Sequence, residues 1–126
     1  MAVAGVPVGV DIEKVNANLV TAEMIKEVFS EEEWNLFSSN HAPGVTDTFF
    51  RGWVRKESVV KAIGSGVYFP LRLVESKLDR DSFTAVYEGT EWWTCSLEAR
   101  GTGYRAALTA LHRGAVPRLR FKHLSA

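Results

Sequence analysis

The sequence predicts an α+β domain with a mostly antiparallel sheet, and three observations lead there. Helix-capping signals and helical periodicity gather before Gly64. Short β-like runs separated by turn residues gather after it. The chain has 126 residues, with no linker, repeat or low-complexity tract, so it reads as a single domain over 1–126. Helices early and strands late favour helices packed on one antiparallel sheet.

Each element has its own signal. Val8 to Ile12 alternates like a short strand. Thr21 is placed to cap a helix running to about Phe29. Ser30 with Glu33 three residues on is a capping-box pattern, opening a second helix that carries Trp34 and Phe37. Asn40 to Gly44 is loop-like. Phe49 to Ile63 is the strongest helix, closed by Gly64 and Gly66. Strands are expected at Leu71–Glu75, Phe83–Tyr87, Trp92–Leu97 and Tyr104–Ala110, the last Ala-rich. Trp92 and Trp93 are adjacent, so they point to opposite faces of their strand.

Composition narrows the function classes. Fifteen basic and fifteen acidic residues give no net charge, which lends nucleic-acid binding little support. The charge is uneven. Asp11 to Glu33 is acid-rich, and after Glu98 no Asp or Glu follows while Arg100, Arg105, Arg113, Arg118, Arg120 and Lys122 do. A basic end attracts phosphates or an acidic partner, though a solvated tail explains it equally well. Cys95 is the one cysteine, in a strand-like run, and reads as a small core residue. No disulfide can form within the chain, which fits a reducing compartment. The start lacks the basic region of a signal peptide, and no apolar stretch reaches the ~20 residues of a membrane helix. A cytoplasmic protein, not membrane-bound, is expected. His41, His112 and His123 lack metal-ligand spacing. No P-loop and no G-x-G-x-x-G after a strand is present.

Two stretches carry candidate chemistry. In Val8-Gly9-Val10-Asp11-Ile12-Glu13, strand alternation puts Asp11 and Glu13 on one side and, on this reading, Val10 and Ile12 against the core. Two carboxylates on one face repel unless a cation lies between them, and Mg²⁺ suits such oxygens. A wet, acidic strand end is the ordinary alternative. On the long helix, at ~100° per residue, Phe49, Trp53, Val60 and Ile63 form an apolar stripe. Phe50, Val54, Glu57 and Lys61 share the neighbouring sector, while Arg51, Arg55 and Ser58 fall on a side that suits solvent. Glu57 and Lys61 thus flank the buried stripe, either as a plain i,i+4 pair or as a functional one. Lys56 falls near the stripe, where its stem can snorkel or its ammonium reach a phosphate. Gly64-Ser65-Gly66 lets backbone approach a ligand, or simply stops the helix.

The order of these stretches is more specific than any one of them. Gly9-Val10-Asp11-Ile12-Glu13, followed about forty residues later by Trp53-Val54-Arg55-Lys56-Glu57-Ser58-Val59-Val60-Lys61, resembles the two signatures of the phosphopantetheinyl transferases. Those read roughly G-[IV]-D-[IV]-E and [FW]-x-x-K-E-[AS]-x-x-K. Phe29-Ser30-x-x-Glu33 and Gly64-x-Gly66 are similar too, and the likeness runs from Val8 to Leu71. The motif style is that of the surfactin-synthetase-activating type, which has two similar halves. The length is that of the holo-acyl-carrier-protein-synthase type, which is trimeric with sites between subunits.

The resemblance implies the family's α+β fold, with an antiparallel sheet packed against the long motif-bearing helix. It implies transfer of the 4′-phosphopantetheine of coenzyme A to a serine of an acyl or peptidyl carrier protein, releasing 3′,5′-ADP. Asp11, Glu13 and Glu57 would hold Mg²⁺. Glu57 would act as base and Lys61 would stabilise the departing phosphate. Lys56, Lys61, Gly64, Ser65 and Gly66 would contact coenzyme A. A half-length chain implies a homo-oligomer, with a trimer favoured over a dimer, or a domain cut from a larger synthase. The alternative is a non-catalytic carrier-protein-docking domain of a polyketide or fatty-acid synthase.

Overall fold

A computed structural model describes residues 7–38, 44–64, 69–97 and 101–112. Strand β1 (Val8–Lys14) leads through a 3-10 turn at Ala17–Leu19 to helix α1 (Ala22–Val28). Helices α2 (Glu31–Ser38) and α3 (Val45–Ile63) follow. A 3-10 turn at Leu71–Leu73 then precedes β2 (Ser82–Tyr87), β3 (Thr90–Leu97) and β4 (Tyr104–Leu111). Among the described residues the sheet has the order β1-β4-β3-β2, with every pair antiparallel. The α+β expectation is met. The chain leaves β1, crosses the helices and returns so that β4 pairs with β1, with Asp11 opposite Ala107 and Glu13 opposite Arg105.

The expected caps form. Thr21 Oγ1 accepts from the Met24 N–H at 3.2 Å, and Ser30 Oγ accepts from the Glu33 N–H at 3.2 Å. Both satisfy helix-start donors that would otherwise be orphaned. The β2–β3 hairpin turns on Glu88 and Gly89, whose φ of 52° and 81° suit a two-residue turn matched to strand twist.

α3 lies across one face of the sheet, close to β1 and β4. Gly9 makes that closeness possible: a Cβ there would stand 2.3 Å from the Ser58 carbonyl and 2.4 Å from the Ala62 nitrogen. No larger residue fits without pushing the helix off the strand. Three apolar clusters result. Val28, Phe29, Phe49 and Phe50 join α1 to the first half of α3. Val59, Ala62, Val74, Tyr87 and Trp92 join its second half to the sheet. Trp93, Cys95, Leu97, Ala106, Leu108 and Ala110, with Val8 against them, line the opposite sheet face. Trp92 and Trp93 do point to opposite faces. Cys95 is buried, and burial pushes its thiol up to about 11, as suits a core residue.

Four expectations need correction. Leu71–Glu75 is not a strand. The carbonyls of Leu71 and Val74 are taken by the Lys56 ammonium, at 3.0 and 2.6 Å, and the segment bends instead of pairing. Val10 and Ile12 do not face α3. They are 40% and 60% exposed on the opposite face, because Gly9, Asp11 and Glu13 turn toward the helix. Arg55 and Ser58 do not face solvent, since both are wholly buried between α3 and the sheet. Finally, α3 begins at Val45, a turn earlier than the apolar stripe suggests.

Beside the apolar cluster, the part of the helix–sheet contact built on Arg55 and Ser58 is polar and hydrogen-bonded. Ser58 Oγ and Thr109 Oγ1 lie 2.8 Å apart, as do Thr94 Oγ1 and Thr109 Oγ1, and Ser58 Oγ donates to the Arg55 carbonyl at 2.7 Å. Arg55 donates from Nε to Ser96 Oγ (3.0 Å), from Nη1 to the carbonyls of Ser76 (2.7 Å) and Lys77 (2.8 Å), and from Nη2 to that of Arg80 (2.6 Å). Burial lowers this guanidinium to about 10. The neutral acceptors are what make its burial tolerable.

Candidate active site

β1 and α3 run side by side, and their polar residues meet along the crevice between them. Alternation on β1 aims Asp11 and Glu13 at α3, and the four-residue step on the helix sets Glu57 and Lys61 on one face. Asp11 is 3% exposed. Its Oδ1 accepts from Lys61 Nζ at 2.7 Å, while its Oδ2 is buried without a hydrogen-bond partner. A buried carboxylate oxygen left unpaired is costly and calls for a cation or for a proton shared with Glu13. Lys61 is 52% exposed, and its hydrogen bond to Asp11 holds its ammonium above the usual lysine value despite partial burial.

Glu13 shares this environment. Burial pushes its carboxyl up to about 7, helped next by a side-chain hydrogen bond that protonated Glu13 gives to Asp11, then by the charges of Asp11 and Glu57, with Lys61 pulling the other way. Two further carboxylates close enough to disfavour the charge of Glu13, balanced among the described residues by Lys61, make a site short of positive charge. A hard divalent cation fits that deficit and the oxygen donors present. Among the described residues, no three His, Cys, Asp or Glu side chains stand close enough together to hold a metal ion by themselves. Mg²⁺ does not need three, since it keeps waters and substrate phosphates in its shell.

The structure brings together Asp11, Glu13, Glu57 and Lys61, as expected. It takes Lys56 elsewhere. That side chain has no exposed surface, and its ammonium donates to Glu33 Oε1 (2.7 Å) and to the Leu71 and Val74 carbonyls, 5.1 Å from the centre of the Phe29 ring. All three donors are spent, so no donor remains for a phosphate. Burial lowers the Lys56 ammonium while Glu33 supports it. Gly64 ends α3, its N–H donating to the Val60 carbonyl at 3.3 Å. Ser65 and Gly66 lie outside the described residues, as do His41, His123 and the basic run from Arg113. Of the histidines, His112 Nδ1 lies 2.7 Å from Glu91 Oε1, at the far end of β4 from Arg105.

Sequence reasoning missed two partners. Glu33, read as a capping residue, instead bridges Lys56 and Ser76 Oγ, the latter at 2.5 Å. Trp53, read as core, donates its indole N–H to Glu57 Oε2 at 3.2 Å. The i,i+4 spacing of Trp53 and Glu57 was the available signal. A cavity of about 1010 Å³ opens elsewhere, between Ser30, Leu36, Thr48, Arg51 and Leu73, and none of the crevice carboxylates lines it.

An antiparallel sheet crossed by one long helix, with three carboxylates and a lysine where helix meets edge strand, defines the class. The family model of the 4′-phosphopantetheinyl transferase superfamily matches residues 7–109. The chain belongs to that superfamily. It is 33% identical over 85 residues to a 4′-phosphopantetheinyl transferase of Bacillus subtilis, covering 68% of this chain and 37% of that protein. It is 29% identical over 108 residues to the 4′-phosphopantetheinyl transferase Sfp of Bacillus subtilis strain 168, covering 84% and 47%. An L-aminoadipate-semialdehyde dehydrogenase-phosphopantetheinyl transferase of Xenopus laevis is 41% identical over 76 residues, covering 54% and 24%. The chain thus spans less than half the length of these curated relatives.

Proposed function

We propose that this chain transfers the 4′-phosphopantetheine group of coenzyme A to a serine of an acyl or peptidyl carrier protein, with release of 3′,5′-ADP. The observation that carries the reading is the meeting of Asp11, Glu13, Glu57 and Lys61 in one crevice, with Asp11 Oδ2 buried and unpaired. The names of the relatives point the same way.

Asp11 and Glu13, with Glu57 alongside, are the residues that would hold Mg²⁺. When bound, Mg²⁺ supplies charge neutralisation and a template for the diphosphate. Glu57 accepts the proton of the attacking serine hydroxyl, which is a poor nucleophile without a base. The serine oxygen bonds to the β-phosphorus as the bond to the departing 3′,5′-ADP breaks. Lys61, half exposed, neutralises or protonates that leaving phosphate. Lys61, Gly64, Ser65 and Gly66 are assigned to coenzyme A. Lys56 is withdrawn from that set, because its donors are saturated.

The reading extends to one domain over 1–126, working in the cytoplasm as a homo-oligomer, with a trimer favoured over a dimer. No helix among the described residues is long and apolar enough to cross a membrane. Val10 and Ile12, exposed side by side on β1, support assembly.

The test is intact-protein mass spectrometry of an apo carrier protein incubated with this chain, coenzyme A and Mg²⁺. One added phosphopantetheine arm is expected, lost with chelator and reduced at least about a hundredfold in rate by Glu57→Gln. No gain across several carrier proteins, with the fold intact, would overturn the proposal for this chain and favour the docking domain.

A further inference from the structure

Glu57 is held by a residue that the reaction scheme does not use. One turn before it on α3, the indole N–H of Trp53 donates to Oε2 at 3.2 Å. The indole itself has little freedom. Its ring sits 5.5 Å from that of Phe49 and 5.6 Å from that of Phe50, against the cluster that includes Val28 and Phe29. A glutamate has three side-chain torsions, and an exposed one samples many carboxylate orientations. Tying one oxygen to a packed indole removes most of that freedom. The second oxygen is then what Glu57 brings to a cation or to a serine proton.

We propose that Trp53 is a positioning residue for Glu57: the anchored indole N–H fixes the Glu57 carboxylate plane in the crevice with Asp11 and Glu13. This rests on the proposed function of that crevice. The role assigned to Trp53 runs through Glu57 and not through substrate. Its N–H, not its bulk, is the working feature. A phenylalanine at this position keeps the aromatic packing and loses the donor, so the assignment separates two roles that share one side chain.

The experiment compares the wild-type chain with Trp53→Phe and Phe49→Leu. Three quantities are read: melting temperature, Mg²⁺ half-saturation by calorimetry, and kcat with KM for coenzyme A. Trp53→Phe is expected to melt close to wild type, to need several-fold more Mg²⁺ and to lose about tenfold in kcat, with KM little changed. Phe49→Leu loosens the same cluster without touching the carboxylate. It is expected to melt lower and to keep its Mg²⁺ half-saturation within about twofold. Wild-type Mg²⁺ binding and kcat in Trp53→Phe would overturn the assignment. So would an equal Mg²⁺ shift in Phe49→Leu, because packing alone would then explain it. A wild-type chain that neither binds Mg²⁺ nor transfers would sink this inference together with the function it rests on. A competent wild type with an indifferent Trp53→Phe would sink this inference alone.

Discussion

Glu13 shows what a single residue feels in the crevice. Its carboxyl, normally near 4.5, sits at about 7 in the folded chain because burial and two neighbouring carboxylates disfavour its charge. A raised folded pKa has a definite sign. The stabilisation from a protonated Glu13 is complete below about 4.5 and is lost as pH climbs through about 7. In chelator, wild type should therefore lose stability relative to Glu13→Gln between those values and then level off. Urea unfolding of both proteins from pH 4 to 8 measures this, and a difference independent of pH would refute it. Cation binding must displace the same proton, so Mg²⁺ affinity should rise over the same window.

At the scale of elements, Lys56 and Arg55 do for the Leu71–Arg80 segment what a sheet ladder would otherwise do. They supply cationic donors to five backbone carbonyls of that segment, those of Leu71, Val74, Ser76, Lys77 and Arg80, and to the side chains of Glu33 and Ser96. Removing one partner of a buried pair leaves the other uncompensated. Lys56→Met is expected to cost about 3–5 kcal/mol, since Glu33 and two carbonyls lose their donor. Adding Glu33→Gln to it should recover part of that loss. Chemical denaturation of the single and double variants decides it. Equal midpoints for wild type and Lys56→Met would mean that the pair contributes nothing. Gly9 works at the same scale, because one missing Cβ sets how near β1 comes to α3, and hence whether Asp11 reaches Lys61.

At the scale of the molecule, the sheet has two different faces. One carries Gly9, Asp11, Thr94 and Thr109 against α3, and the other carries Val8, Trp93, Leu97 and Leu108. Trp93, Leu97 and Leu108 are buried within the chain, so only the exposed Val10 and Ile12 on β1 are open to a second copy. Ile12→Glu, far enough along the strand to leave the fold intact, is expected to lower the oligomer mass seen by light scattering. A wild-type monomer with full transfer activity would contradict assembly altogether.

Much of this protein was legible in its residues. Capping at Thr21 and Ser30, the alternation that sets Asp11 beside Glu13 and the helical step from Glu57 to Lys61 are local, and local geometry obeys short-range rules. Those rules sufficed for the α+β class and for which residues share a face, while reading Asp11, Glu13, Glu57 and Lys61 as one site came from the motif resemblance. Which face of β1 meets the helix was not local. Hydrophobicity favoured Val10 and Ile12 inward, but backbone contact at Gly9 and a second apolar face reversed it. The burial of Arg55 and Lys56 was equally out of reach, because charged side chains go inside only where distant carbonyls wait for them. Sequence period tells which residues share a side; only the packed partners tell what that side touches.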